Sequence, residues 1–152
     1  MVILSKLADY GVIIATHLAL HPERQMTAAV LAKETSLPRA TAAKILKILA
    51  HAGIVAGARG ATGGYRLARD AGTISVVQVV SAIDGSMGVT QCTIHDDCSR
   101  SHFCATRPHW HRINAAIGMA LGAITLAEMA NPFGAPLPRS AAASQPTATP
   151  TP

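Results

Sequence analysis

The sequence predicts a mainly helical fold that carries one small β-hairpin. Three observations lead there. Apolar residues recur at steps of three to four over residues 4–21, 39–51 and 108–130. A glycine-rich stretch, residues 59–64, separates two short runs of strand-forming residues. The composition is rich in small side chains, with 29 alanines among 152 residues and only 3% aromatics. Hydrophobic residues make up 49%, enough for a packed core, so wholesale disorder is excluded.

The elements follow in order. Leu4, Leu7, Ala8, Ile14, Ala15, Leu18 and Ala19 form one face of a first helix over residues 4–21, which Pro22 ends. Gly11 within it costs stability and permits a close contact. Thr27 caps a short helix whose Val30 and Leu31 are expected to face inward. Residues 35–38 break the chain, and Pro38 opens a helix from Arg39 to His51 with Ile45, Leu46, Ile48 and Leu49 on one face. Gly53 suits the position just past its end. Two short helices joined by a tight turn, the second with basic residues near its start, match a helix-turn-helix. Residues 54–56 then read as a strand, 59–64 as a turn and 65–67 as the returning strand, which is a wing. Val76, Val79, Val80 and Ile83 give residues 75–84 a helical face. Residues 85–106 read as a polar loop. One long helix is predicted from Pro108 to Ala130, with Ile113, Ile117, Leu121 and Ile124 flanked by Ala116, Ala120, Ala123 and Ala127. A second apolar face of small residues needs a partner helix, and a homodimer seam is the simplest one.

The expected fold class is therefore mainly α, a winged helix-turn-helix with a long C-terminal dimerisation helix. Residues 1–71 form the DNA-binding region. Residues 72–130 add a helix, a cysteine loop and the dimerisation helix to the same domain. Residues 131–152 hold six of the nine prolines and no apolar periodicity, and are expected to be a disordered tail.

Charge separates these regions. The formal net charge is +5. Residues 1–71 carry nine Lys/Arg against four Asp/Glu, whereas residues 72–152 carry four of each, so the whole excess lies in the first region. A basic half beside a neutral one points to an anionic partner, nucleic acid first. The scarcity of aromatics argues against a base-stacking binder of single strands. Residues 117–127, the longest strongly apolar stretch, are too short to span a bilayer. The opening Met-Val-Ile-Leu-Ser-Lys lacks the basic and apolar regions of a secretion signal, so the expected compartment is the cytoplasm. No glycine-rich phosphate loop, nucleophile–base pair or paired carboxylates point to an enzyme or a small-molecule substrate.

All three cysteines, Cys92, Cys98 and Cys104, sit in the one loop as C-x5-C-x5-C. An odd number clustered in a cytosolic chain points to metal rather than to disulfides. Structural zinc usually shows a C-x2-C knuckle. Five-residue gaps wrap a larger object, and an iron–sulfur cluster is one whose normal ligands are thiolates. A cluster normally takes four protein ligands, so a fourth group is needed. His95, His102, His109 and His111 lie nearby.

The order of these parts carries a resemblance. The start L-S-K-L-A-D-Y-G, the segment L-A-K-E-T-S-L-P, the wing A-R-G-A-T-G-G-Y-R-L-A-R, the I-D-G ending the next helix and the three-cysteine loop occur in sequence. Over residues 1–130 the chain resembles the Rrf2 family of bacterial transcription regulators (IscR- and NsrR-like), and its start is most like regulators of SUF-type cluster assembly. The resemblance implies a homodimer that binds pseudo-palindromic double-stranded DNA, and Cys92, Cys98 and Cys104 as ligands of a [2Fe–2S] or [4Fe–4S] cluster. In one branch the fourth ligand is a histidine three residues after the third cysteine. Here that place holds Arg107. Another branch uses an aspartate of the first helix reaching across from the other subunit, which matches Asp9. Asp9 in trans is therefore expected ahead of His109.

The DNA-binding set implied is Arg39, Thr41 and Lys44 on the second helix of the pair, with Arg59, Gly60, Gly64, Tyr65 and Arg66 in the wing. The expected function is a cluster-sensing repressor of cluster-assembly genes. The rival expectations are a nitric-oxide or redox-sensing repressor of the same fold, and a cluster carrier or redox protein that does not bind DNA.

Overall fold

The computed structural model describes residues 4–60, 63–94 and 103–131. Helix α1 (Lys6–Leu20) is started by Ser5, whose hydroxyl accepts from the Ala8 N–H at 3.0 Å and donates to the Asp84 carboxylate. That second bond ties the start of α1 to the end of α4 (Val76–Asp84). The two helices pack closely because Gly11 has no side chain: a Cβ there would collide with Ile83 Cδ1. Helices α2 (Ala28–Glu34) and α3 (Arg39–His51) form the helix-turn-helix pair. Between them Ser36 takes a left-handed conformation at φ 56°. The chain turns sharply there, so the Leu37 N–H reaches the Ala32 carbonyl at 2.8 Å.

Strands β1 (Val55–Ala58) and β2 (Gly64–Leu67) pair antiparallel, with Val55 opposite Leu67 and Ala58 opposite Gly64. The hairpin is anchored on its far side by Met26, whose N–H donates to Tyr65 O at 3.0 Å and whose carbonyl accepts from Tyr65 N–H at 2.8 Å. A 3-10 turn (Ala71–Thr73) leads to α4. The remaining helices are α5 (Gln91–Ile94), α6 (Arg107–Gly122) and α7 (Leu126–Ala130).

The core is shared by α1, α3 and α4. Ile14 and Leu18 of α1 meet Ile45, Leu46 and Leu49 of α3 and Val79 and Val80 of α4; Leu31, Met26, Ile74 and Leu126 complete it. Among the described residues no polar or charged side chain is fully buried. The core is therefore purely apolar, and removal of its side chains from water, about 1.5–3 kcal/mol each, is its main favourable term.

The fold class agrees with the sequence, and four local expectations are corrected. The helix expected from Pro108 to Ala130 is two helices. Thr125 starts α7, its hydroxyl accepting from the Glu128 N–H at 3.2 Å while Glu128 accepts from the Thr125 N–H at 2.7 Å. The break lets the chain pair with the lead-in to α4: Val76 N–H donates to Ile124 O at 2.9 Å, and Leu126 N–H to Ile74 O at 2.8 Å. Leu126 is thereby buried in the core. Val30 does not face inward but is 37% exposed, because Leu31 and Ala32 already fill the short inward arc of α2. The polar loop contains α5, a single turn of helix. The first wing strand runs two residues later than expected, to Ala58, since Arg66 and Tyr65 pair with Ala56 and Gly57. The expected tail lies outside the described residues apart from Asn131.

Candidate nucleic-acid interface and cysteine loop

Helix α3 buries Ala42, Ile45, Leu46 and Leu49, which turns Arg39, Lys44 and Lys47 outward as an exposed basic face. Thr41 is half-buried at its edge. Lys47 is absent from the sequence-derived set. It lies one turn beyond Lys44, and the three-residue spacing would have placed it on the same face.

The wing presents Arg59 and Gly60 at its exposed tip, with Gly60 at φ 116°, a conformation that L side chains rarely adopt. Arg66 is exposed on β2. Gly64 has a different position: it is buried, and a Cβ there would come within 2.8–3.0 Å of the Met26 backbone. Tyr65 is half-buried and lies over Gly57, where a Cβ would be 3.3 Å from its ring. Gly64 and Tyr65 thus hold the wing against the body, while Arg59, Gly60 and Arg66 face outward.

The helix-turn-helix is braced to α1 by charge. His17 Nε2 lies 2.7 Å from Glu34 Oε2, and Arg24 donates to Glu34 Oε1 at 3.0 Å. The Arg24 guanidinium and then His17 lower the Glu34 pKa from 4.5 to about 2. Glu128 is likewise held below the usual carboxylate range, first by the Thr125 N–H and then by the Thr125 hydroxyl.

The described start of the cysteine loop is tied to α6. The Asn114 side-chain amide donates to the Met87 carbonyl at 3.0 Å and fixes the start of the loop. Cys92 lies on α5 and Cys104 one turn before α6, where its carbonyl accepts from the Arg107 N–H at 3.2 Å. Both thiols are half-buried. Each has a threonine hydroxyl on its sulfur: Thr90 Oγ1 is 3.1 Å from Cys92 Sγ, and Thr106 Oγ1 is 3.3 Å from Cys104 Sγ. Soft sulfur donors supported by hydroxyls suit a thiolate-held cluster.

Cys98, His95 and His102 lie outside the described residues. Among the described residues no three His, Cys, Asp or Glu side chains gather at metal-binding range. Asp9 lies in the first turn of α1, exposed, lining a groove with Ile13, Thr16, Leu20 and Met129. His109 is exposed on the first turn of α6, in a shallow groove with Arg112 and Ile113. Arg107 is the first residue of α6 and half-buried. A guanidinium has no lone pair to give, so it cannot replace a histidine ligand.

Helix α6 itself buries no residue fully, and Ile113 and Met119 are 43% and 70% exposed. Among the described residues no helix is long and apolar enough to cross a membrane.

Comparison with known proteins places this arrangement. The family model for Rrf2, described as an iron-dependent transcriptional regulator, matches residues 4–132. The chain belongs to the Rrf2 family. It is 33% identical over 121 residues to the HTH-type transcriptional regulator IscR of Vibrio vulnificus, covering 79% of this chain and 72% of that one. Over a shorter span of 81 residues it is 42% identical to IscR of Photobacterium profundum, covering 53% of this chain and 47% of that protein. Among solved structures it is similar to T. potens IscR, with a TM-score of 0.69 and 28% identity over 86% of this chain and 88% of that one. It is also similar to CymR (YrzC), the global cysteine regulator of B. subtilis, with a TM-score of 0.71 and 26% identity over 86% and 98% of the two chains. This Rrf2 chain is thus an IscR-like, DNA-binding transcriptional regulator with a winged-helix fold, and its relatives are regulators rather than enzymes. The expectation of a carrier that does not bind DNA is set aside by that membership.

Proposed function

We propose that this Rrf2 protein is an iron–sulfur-cluster-sensing repressor of SUF-type cluster-assembly genes that binds a pseudo-palindromic operator as a homodimer. The observation that supports the reading most is the joining, in one chain, of an exposed basic reader (α3 and the wing tip) to half-buried thiols at the foot of α6. The family's iron dependence agrees with it.

Cys92, Cys98 and Cys104 would hold the cluster, with Asp9 of the second subunit as fourth ligand and His109 as the alternative. When bound, the cluster supplies a group that is gained, lost or oxidised as iron and oxidants vary. The rest is work for this chain's own residues. In the dimer, two copies of α3 enter successive major grooves, with Arg39, Thr41 and Lys44 reading base edges or phosphates. Arg59 enters the minor groove beside them. The exposed face of α6, with Ile113 and Met119, packs against its counterpart and sets the spacing of the two readers. Cys104 lies at the start of that helix, so a change in the loop bears on the dimer seam and biases a two-state arrangement.

The test is anaerobic purification followed by Mössbauer and absorption spectroscopy of wild type, Cys98→Ala and Asp9→Ala. Cys98→Ala is expected to lose the visible charge-transfer absorption, and Asp9→Ala to alter the iron site. Unchanged colour and iron content in Cys98→Ala would overturn the reading.

A further inference from the structure

We infer that the hydroxyls of Thr90 and Thr106 donate hydrogen bonds to the cluster-bound sulfurs of Cys92 and Cys104 and thereby set how easily the cluster is reduced. The inference rests on the proposal that these cysteines hold the cluster.

The argument begins with the hydrogens. At Thr90 the surrounding bonds leave the hydroxyl proton little choice. The Thr93 hydroxyl donates to the Thr90 carbonyl at 2.8 Å, and the Thr90 N–H donates to Thr93 Oγ1 at 3.1 Å. Thr93 has a single hydroxyl hydrogen and it is used, so Thr93 cannot donate to Thr90. The Thr90 hydroxyl is left facing Cys92 Sγ at 3.1 Å and, more distantly, Thr93 Oγ1 at 3.4 Å. With Cys92 as a thiol, either atom can be the donor. A metal-bound thiolate has no hydrogen, so the bond survives only with Thr90 donating, and a sulfur bearing charge is the better of the two acceptors. The reciprocal pair with Thr93 holds Thr90 in this place.

A second site shows the same pairing independently. Thr106 occupies the position that caps α6, yet its side chain makes no capping bond; its Oγ1 lies 3.3 Å from Cys104 Sγ instead. A threonine that forgoes the usual use of its hydroxyl at a helix start, in favour of a sulfur, is consistent with the sulfur needing a donor. The two contacts read as Thr-x-Cys and Cys-x-Thr, one at each end of the cysteine loop. Hydrogen bonds to ligand sulfurs withdraw charge from them, which stabilises the electron-rich reduced cluster more than the oxidised one.

The test uses full-length protein reconstituted anaerobically with ferrous iron and sulfide, and a redox titration with mediators followed by absorption. Variants are Thr90→Val, Thr106→Val, the double variant and Thr90→Ser. Each single valine is expected to raise the oxidised-to-reduced ratio at fixed ambient potential by about tenfold, 59 mV lower for a one-electron couple. The double variant should shift further, and Thr90→Ser should titrate as wild type because it keeps the donor. Potentials in both valine variants equal to wild type overturn the inference and leave the cluster reading standing. A Thr90→Ser that shifts as far as Thr90→Val overturns it too, since a change that keeps the hydroxyl would then act as strongly as one that removes it. If Thr90→Val does not load, Thr106→Val decides by the same criterion. Wild-type protein that takes up no iron and sulfide overturns the cluster reading, and this inference with it.

Discussion

Helices α1 and α6 are nearly equal in length, 15 and 16 residues, and both carry apolar side chains at helical spacing. Yet α1 buries six residues and α6 buries none. The first is surrounded by α3, α4 and α7 of its own chain. Among the described residues the second packs chiefly against α4 and α5. The same local pattern thus has two outcomes: on α1 it makes a core contact, and on α6 it leaves an exposed face, the one proposed above as the seam. The difference separates a helix packed into the core of its own chain from one whose apolar side chains stay largely open, which is where the proposed dimer would form.

The largest expected effect breaks the comparison at the level of folding. Leu46 is fully buried at the centre of the core, and Leu46→Ala should cost about 2–5 kcal/mol in denaturant unfolding. Ile113→Ala on α6, measured in the same way on dilute monomer, should stay within about 0.5 kcal/mol of wild type. Similar losses at both positions would remove the distinction between the two helices.

Self-association should reverse that order. Ile113→Glu places a charge on the proposed seam and is expected to weaken dimerisation about tenfold or more, ~1.4 kcal/mol, by sedimentation velocity, with helix content retained. A variant that remains dimeric at wild-type concentrations would move the seam elsewhere on α6. The reader half can be probed with the dimer intact. Arg59→Ala removes an exposed side chain at the wing tip and should weaken operator binding by about 1–3 kcal/mol if it makes a specific groove contact. Fluorescence anisotropy at fixed salt checks it, because phosphate contacts alone change with ionic strength.

The two halves also differ in how far the sequence disclosed them. Helix α1, the α2–α3 pair, the wing and α4 were legible because each is decided locally: by periodicity, by Thr27 and Pro38 at helix starts, and by glycines at the turn. The break between α6 and α7 was not, since Ile117, Leu121 and Ile124 keep helical spacing up to it. What decides it is distant, the bonds from Val76 to Ile124 and from Leu126 to Ile74. A local sign did exist in Thr125-x-x-Glu128, a capping box inside the apolar run. Helix α5 is too short for any periodicity to register. In the candidate site, the outward placement of Arg39, Lys44 and Arg59 is legible from charge and position. Gly64 was not, because its burial against Met26 depends on a bridge between residues far apart in sequence. Thr90 and Thr106 are not legible although their spacing from Cys92 and Cys104 is fixed in the sequence, because a threonine near a cysteine gains meaning only when its hydroxyl faces the sulfur.

The smallest effect sharpens the account of the part packed around α1. Glu34 joins Arg24 and His17 and so braces α2 to α1 and to the connection between them. Its pKa falls from 4.5 to about 2 on folding, chiefly through Arg24. A carboxyl whose folded pKa is lowered adds stability above its unfolded pKa, and that stability disappears as the pH falls through the folded one. The window is therefore from about 4.5 down to about 2, and the effect is small because the carboxylate is partly open to water. Glu34→Gln should flatten this part of the acid limb in thermal melts and leave its slope above pH 6 unchanged. Added salt should shrink the wild-type difference in the same window, since screening weakens exposed pairs. An acid limb identical in the two proteins would show that the brace orients the helix-turn-helix without stabilising it.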